Sequence, residues 1–172
     1  KNFNGKYKFK TTLLGDHNIQ NATAAIIASL IAGVSIQHIR NALEIFQGVK
    51  RRFSFLGKFN KASVYDDYAH HPSEIKASYN LAKQISTKKI IVIFQPHRFS
   101  RTNYLYKDFI KVLSKINYLY ILDIYPAGEK SIKNINSLNL VKEIKKLNKK
   151  TFYLSKKDII KKIIKDFGND NN

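Results

Sequence analysis

Apolar positions recur along this chain with two different periods, and the change between them divides it. From about His17 to Ala32 the chain is rich in Ala and Ile. That is the makeup of a helix buried on most sides, with Gly33 as its C-terminal stop. Ahead of it, residues 1–12 read as a short strand or hairpin ending in Leu13-Leu14-Gly15. Ser35 suits the N-cap of a second helix, in which Ile36, Ile39, Leu43 and Phe46 share one face and Gly48 follows. The pattern then changes. Phe53-Ser54-Phe55-Leu56 and Ala62-Ser63-Val64-Tyr65 read as strands joined by a polar turn near Asn60. Pro72 suits the first turn of a helix reaching about Ile85, with Ile75, Tyr79 and Ala82 inward. Lys89 to Phe94 is a short β-branched run, as in a buried parallel strand. A helix from about Thr102 to Lys115 follows, using Leu105, Phe109, Val112 and Leu113. Tyr118 to Ile124 is the next strand, residues 137–148 a helix, and Thr151 to Leu154 a short strand. Ser155-Lys156-Lys157-Asp158 resembles a capping box that opens a last helix. Its apolar stripe is Ile159, Ile160, Ile163, Ile164 and Phe167, and the lysines between them form a solvated face.

From about residue 50 onward strand and helix alternate. That predicts an α/β fold: a Rossmann-like, mostly parallel sheet with helices on both faces. Gly48-Val49-Lys50 is the expected boundary between residues 1–49 and residues 50–172. No apolar run approaches the roughly 20 residues that span a bilayer. The start, Lys1-Asn2-Phe3-Asn4-Gly5-Lys6, lacks the hydrophobic stretch of a signal peptide. With no cysteine, disulfides and thiolate metal sites are excluded. A cytoplasmic protein with no membrane partner is the simplest reading.

The net charge of +19 invites a nucleic-acid reading. Yet of the 31 basic residues only five are arginine. The lysines are scattered among asparagines and isoleucines, whose codons are all A/T-rich, so a biased genome gives this composition without a selected surface. A basic nucleic-acid-binding module therefore ranks behind the readings below, and no nucleic-acid partner is expected. The arginines differ. Four of them form two tight groups, Arg51-Arg52 and Arg98/Arg101. In a lysine-rich chain, that placement suggests a need for the planar fork that grips carboxylate or phosphate.

Ligands of open α/β sheets bind outside the carboxyl ends of the strands. Three expected strand ends here carry Asp66-Asp67-Tyr68-Ala69-His70-His71-Pro72, Gln95-Pro96-His97-Arg98-Phe99-Ser100-Arg101 and Tyr125-Pro126-Ala127-Gly128-Glu129. Asp66, Asp67, His70 and His71 can be read as a metal site. They can equally be catalytic or nucleotide contacts, since a carboxylate takes ribose hydroxyls and a histidine moves protons near neutral pH. His71 can also simply cap the helix opened by Pro72. The Arg98/Arg101 pair, with only Asp108 near it in sequence, points to an absent anion rather than to surface salt bridges. Gly15-Asp16-His17-Asn18 opens the first helix, whose free N–H groups accept anions, although Asn and Asp are also ordinary caps.

Together these segments resemble the Mur ligase family. Gly15-x-His17-Asn18-x-x-Asn21-x-x-Ala24-Ala25 is similar to the motif that closes the family's central ATPase domain. Phe46-x-Gly48-Val49-x-Arg51-Arg52-Phe53 is similar to its junction with the C-terminal domain. The three rim segments, extended to Glu74 and back to Phe94, resemble those of the alanine-adding members, and the likeness runs from about residue 13 to 167. It implies a helical tail of the central domain over residues 1–49, then a Mur ligase C-terminal domain. It implies ATP-dependent ligation of L-alanine to UDP-N-acetylmuramate in peptidoglycan synthesis, through an acyl phosphate. A related member that adds a recycled tripeptide is the alternative. By the same resemblance His17, Asn18 and Asn21 lie at the adenine of ATP, Arg52 at its phosphates and Asp67 near the ribose. His70, Arg98 and Arg101 are expected at the reaction centre, and Tyr68, His97, Arg98 and Arg101 around the alanine. ATP and Mg2+ are the implied cofactors. A phosphate-cradling P-loop, the Mg2+ ligands and the UDP-sugar domain are expected ahead of Lys1, and a last strand with a Gly-Ala-Gly-Asp turn beyond Asn172. The expectation is thus a fragment, inactive alone, whose partners include the missing domains.

Overall fold

A computed structural model describes residues 5–167, with the side chains of residues 166 and 167 excluded. The chain divides into two compact units, Lys1–Ser54 and Phe55–Asn172.

The first unit is helical. Helix α1 spans Asp16–Ile31 and helix α2 spans Ile36–Ile45. Gly15 adopts φ 95° at the start of α1, and Asp16 places a negative charge in its first turn, where the helix dipole favours it. The stop is at Gly33, whose φ of 87° suits glycine, with Val34 N–H donating back to the Ser29 carbonyl at 3.0 Å. Ser35 caps α2 as expected, its hydroxyl accepting the His38 N–H at 3.3 Å, and Ile39 of α2 is buried.

Two expectations fail in this unit. Residues 5–14 form no strand. Residues 1–4 of the expected strand lie outside the described residues. In place of a ladder, the segment is held by side chains: Thr12 Oγ1 donates to the Phe46 carbonyl at 2.7 Å, and Arg40 Nε donates to the Lys8 carbonyl at 3.1 Å. Nor is α1 buried on most sides. It has no buried residue, and Ile19 and Ile31 are 57% and 76% exposed. Among the described helices and strands, α2 is the one that packs substantially against α1, and one neighbouring helix covers one face.

The second unit opens with strands β1 (Ser54–Phe59) and β2 (Ala62–Asp66), paired in a two-stranded sheet. Asn60 turns the chain between them with φ 52°. Asn is one of the few side-chain-bearing residues at ease there, because its short amide bonds locally. A separate parallel sheet has the order β3-β4-β5, from Ile91–Phe94, Tyr118–Ile121 and Thr151–Tyr153. Its register pairs Phe94 with Ile121, and Ile121 with Tyr153. The helices are α3 (Pro72–Ile85), α4 (Phe99–Tyr104), α5 (Tyr106–Leu113), α6 (Ser137–Lys145) and α7 (Ile159–Phe167).

Alternation along the strands builds two faces. Val92, Phe94, Leu119 and Ile121 face one core, where Phe94 and Phe109 lie 5.7 Å apart between ring centres and Leu113, Ile116, Leu140 and Ile144 are fully buried. There α3 packs against α5, α5 against α6, and α6 against β5. Each such side chain contributes about 1.5–3 kcal/mol. On the other face Tyr120 stacks on Phe152 at 5.5 Å, with Lys162 of α7 above the Phe152 ring. The expected parallel sheet with helices on both faces is the architecture found.

Details differ from the expectation where tertiary contacts decide. The helix expected over 102–115 begins at Phe99 and breaks at Leu105, which sits at φ −102°, ψ 20°. Strand β4 ends at Ile121 rather than Ile124, and residues beyond it bond to the loop after β3 instead. Ser155 forms no capping box. Its hydroxyl donates to the Asp158 carboxylate at 2.5 Å, and α7 starts at Ile159. The α7 stripe is only partly covered, since Ile160 is 66% exposed, and Phe167 lies outside the described side chains.

Candidate functional site

Loops that follow β2, β3 and β4 meet at the carboxyl end of the second unit. The loops after β3 and β4 are stitched by backbone bonds. Tyr125 N–H donates to the Pro96 carbonyl at 2.8 Å, and Arg98 N–H donates to the Tyr125 carbonyl at 2.8 Å. These bonds continue the parallel pairing past the strands and put His97 opposite Tyr125. The β2 loop is anchored through Asp67, whose Oδ1 accepts the Ala69 N–H at 3.0 Å while Oδ2 accepts the Ser78 hydroxyl at 2.6 Å. Below it α3 begins with a reciprocal cap. His71 Nδ1 accepts from Ser73 N–H at 3.3 Å, and Glu74 accepts from the His70 and His71 N–H groups at 3.0 and 3.1 Å. Helix capping is therefore what His71 does here.

This framework gathers four rings. Tyr68 lies 5.0 Å from His70 and 6.1 Å from His97, His70 lies 6.1 Å from His97, and His97 lies 5.2 Å from Tyr125. Arg101, in the first turn of α4, aims Nη1 at the His97 carbonyl at 3.4 Å and at His97 Nδ1 at 3.5 Å. Arg98 is exposed and makes no side-chain hydrogen bond or ion pair among the described residues. Of the expected rim residues, the structure thus brings Tyr68, His70, His97 and Arg101 together. Arg98 stands beside them, near enough to act on the His97 charge. Asp67 serves the fold from behind, through Ala69 and Ser78.

Hydrogen-bond partners fix the histidine tautomers. His70 Nδ1 lies 2.9 Å from the Tyr68 carbonyl, which can only accept, so Nδ1 carries a proton and, in the neutral ring, Nε2 holds the lone pair. Burial, then the Arg101, Arg98 and His70 charges, lower the His97 pKa below the usual 6.5, against a smaller opposing effect of Glu129. In its neutral form, with Arg101 donating toward Nδ1, His97 presents Nε2–H as a donor.

The sequence pattern missed Glu129 as a neighbour of the arginines. It lies 28 residues from Arg101 along the chain, yet its carboxylate binds Ser100, between Arg98 and Arg101. No metal cluster forms: among the described residues no three of His, Cys, Asp and Glu come together to hold an ion. Asp66, Asp67, His70 and His71 do not make the metal site that their spacing allowed, because Asp67 turns to Ser78 and His71 to the α3 cap. A cavity of about 340 Å3 lies at the opposite ends of β3 and β4, lined by Tyr79, Lys83, Lys88, Lys89 and Tyr118, away from the rim.

The remaining expected ligand residues belong to the first unit. His17 and Asn18 are half-buried at the start of α1, with Asn18 Nδ2 donating to the Leu14 carbonyl at 2.8 Å, and Asn21 is exposed one turn later. Arg52 follows α2 in a turn closed by its N–H to the Val49 carbonyl at 3.2 Å.

Residues 51–171 match the family model described as Mur ligase, glutamate ligase domain. The chain belongs to the Mur ligase family. Over 135 residues it is 49% identical to the UDP-N-acetylmuramate–L-alanine ligase of Rickettsia massiliae, covering 77% of this chain and 28% of that one. The ligase of the same name from Rickettsia bellii is 47% identical over 136 residues, with the same coverage. Among solved structures, the UDP-N-acetylmuramate-alanine ligase of Thermotoga maritima superposes with a TM-score of 0.70 at 31% identity, covering 92% of this chain and 34% of that one. MurF of Acinetobacter baumannii shares the fold, with a TM-score of 0.68 at 18% identity over 95% of this chain and 34% of that one. The chain thus spans 28% of the length of the curated relatives it matches.

Proposed function

We propose that this Mur ligase chain supplies the amino-acid side of an ATP-dependent ligase that joins L-alanine to UDP-N-acetylmuramate in peptidoglycan synthesis, in the cytoplasm. The observation that carries the reading is the convergence of His70, His97 and Arg101 over one sheet edge, with the Arg98 guanidinium exposed beside them. The named relatives supply the choice of alanine over a tripeptide.

The chemistry follows from those groups. An amino acid arrives as a zwitterion, and its ammonium must lose a proton before the nitrogen can attack an activated carboxyl. Arg98 and Arg101 hold the carboxylate, with the planar fork giving it one orientation. His70 Nε2 takes the ammonium proton, since its Nδ1 proton is engaged at Tyr68. Neutral His97 donates from Nε2–H toward the oxygen that gains charge as the nitrogen adds to the acyl phosphate, before the acyl C–O bond breaks and phosphate leaves. Tyr68 walls the site against a larger side chain. In the same reading His17, Asn18 and Asn21 meet the adenine of ATP, Arg52 its phosphates, and Asp67 the ribose through lone pairs left over from its internal bonds. The described residues offer no ligand set for Mg2+, so no step is assigned to that ion.

The test is a chimera in which the matching segment of the Rickettsia massiliae ligase is replaced by this chain. L-Alanine should be ligated in an ATP-dependent reaction and a muramoyl tripeptide should not. The 172-residue chain alone should turn over neither. Preference of the chimera for the tripeptide, or ligation by the chain by itself, refutes the proposal.

A further inference from the structure

We propose that Glu129 is a positioning residue of this site: its carboxylate locks the loop after β4 onto the amino end of α4 and so fixes Arg98 and Arg101 beside His97. The function of the two arginines is taken from the reading above; the lock itself is argued from geometry.

Both carboxylate oxygens of Glu129 land on one residue. Oε2 accepts the Ser100 N–H at 2.9 Å, and Oε1 accepts the Ser100 hydroxyl at 2.6 Å. Ser100 is the second residue of α4 and lies between the two arginines. A residue there needs outside support, because Arg98 sits at φ 74°. The left-handed region costs a residue with a Cβ about 1–2 kcal/mol. Four bonds hold this stretch: Arg98 N–H to the Tyr125 carbonyl at 2.8 Å, the buried Thr102 hydroxyl to the Arg98 carbonyl at 2.8 Å, and the two from Ser100 to Glu129. The loop that delivers Glu129 is itself turned for the purpose. Ala127 and Gly128 both adopt positive φ, 49° and 86°, and Glu129 N–H closes on the Pro126 carbonyl at 3.0 Å.

The arrangement has a chemical consequence. A helix amino end ordinarily attracts anions through its free N–H groups. Here Ser100 N–H is taken by a carboxylate belonging to the protein, which leaves the two guanidinium groups as the cationic partners for an incoming carboxylate or phosphate. The two Ser100 bonds, opposed by burial and aided by Arg98 and the Phe99 N–H, hold the Glu129 pKa below its usual 4.5, so the lock is closed at neutral pH.

Two experiments test this. In the 172-residue chain, the Ser100 amide signal in NMR should move as Glu129 titrates, below the usual carboxylate range, and Glu129→Gln should abolish that movement. In the chimeric ligase, Glu129→Gln should raise KM for L-alanine about tenfold or more, since ångström-scale misplacement of positioning groups has effects of that order. KM for ATP should change less than about twofold. Ser100→Ala should give a smaller effect of the same kind, because the backbone bond survives, and it carries the test if Glu129→Gln does not fold. An unchanged alanine KM, or equal rises for both substrates, overturns the proposal. If the unaltered chimera does not ligate, the functional reading falls, and the Ser100 titration alone decides the lock: a stationary signal overturns it.

Discussion

Replacing Asp67 by Ala separates what this residue does for the fold from what it does for a ligand. Its carboxylate joins the end of β2 to α3 through Ala69 N–H at 3.0 Å and the Ser78 hydroxyl at 2.6 Å. Two bonds to a charged acceptor amount to about 1.5–3 kcal/mol each. The sum overstates the loss. Ser78 has one hydroxyl proton, and the Glu74 carbonyl stands 3.1 Å away to receive it once Asp67 is gone. The Ala69 N–H is half-buried, within reach of water. The expected net loss is therefore about 2 kcal/mol, close to one charge-assisted bond. For a unit of this size that lowers Tm by about 8 °C. The chain has no tryptophan, and of its ten tyrosines all but Tyr7 lie in the second unit. Tyrosine fluorescence during urea unfolding therefore reports the unit that Asp67 stabilises. Asp67→Asn, which keeps one oxygen for Ala69, should lose about half as much stability, on the order of 1 kcal/mol. A loss below about 0.5 kcal/mol for Asp67→Ala would place it among neutral surface changes and refute the structural argument.

Other outcomes follow from the same contacts. His97 should titrate by NMR below 6.5, and Arg101→Gln should raise its midpoint part of the way back, because the burial that comes first among the causes remains. The unfolded chain then takes up this proton first, so the His97 contribution to stability is present above 6.5 and declines as pH falls toward the lower folded value. Phe109→Ala should cost about 3–5 kcal/mol in urea unfolding, because the ring is fully buried against Phe94. Two buried hydroxyls should respond in opposite directions in the same assay. Ser137 donates to the Leu122 carbonyl at 2.6 Å, so Ser137→Ala should destabilise by about 1–2 kcal/mol. The Thr151 hydroxyl is buried with no partner among the described residues, so Thr151→Val should be neutral or stabilising by up to about 1 kcal/mol.

Local chemistry decided much of this protein by itself. A Pro after His71, a Ser before Ile36 and a β-branched run ending at Phe94 place helices and strands wherever they occur, because caps, proline and side-chain alternation act within a few residues. The rim composition was equally plain, since His, Arg and Pro cluster at three strand ends. Which of these groups face each other was not. Asp67 and Ser78, Tyr68 and His97, and Glu129 and Ser100 are neighbours only because parallel strands bring distant loops to one edge. The exposed apolar face of α1 carries the same lesson. Its composition asked for burial, but burial depends on what packs against a helix, and among the described helices and strands α2 is the one that packs substantially against it. Periodicity is a property of one segment, whereas a partner's position depends on every element between the two. Secondary structure could therefore be read along the chain, while the tautomers, the lock on Ser100 and the direction of the His97 shift needed the folded molecule.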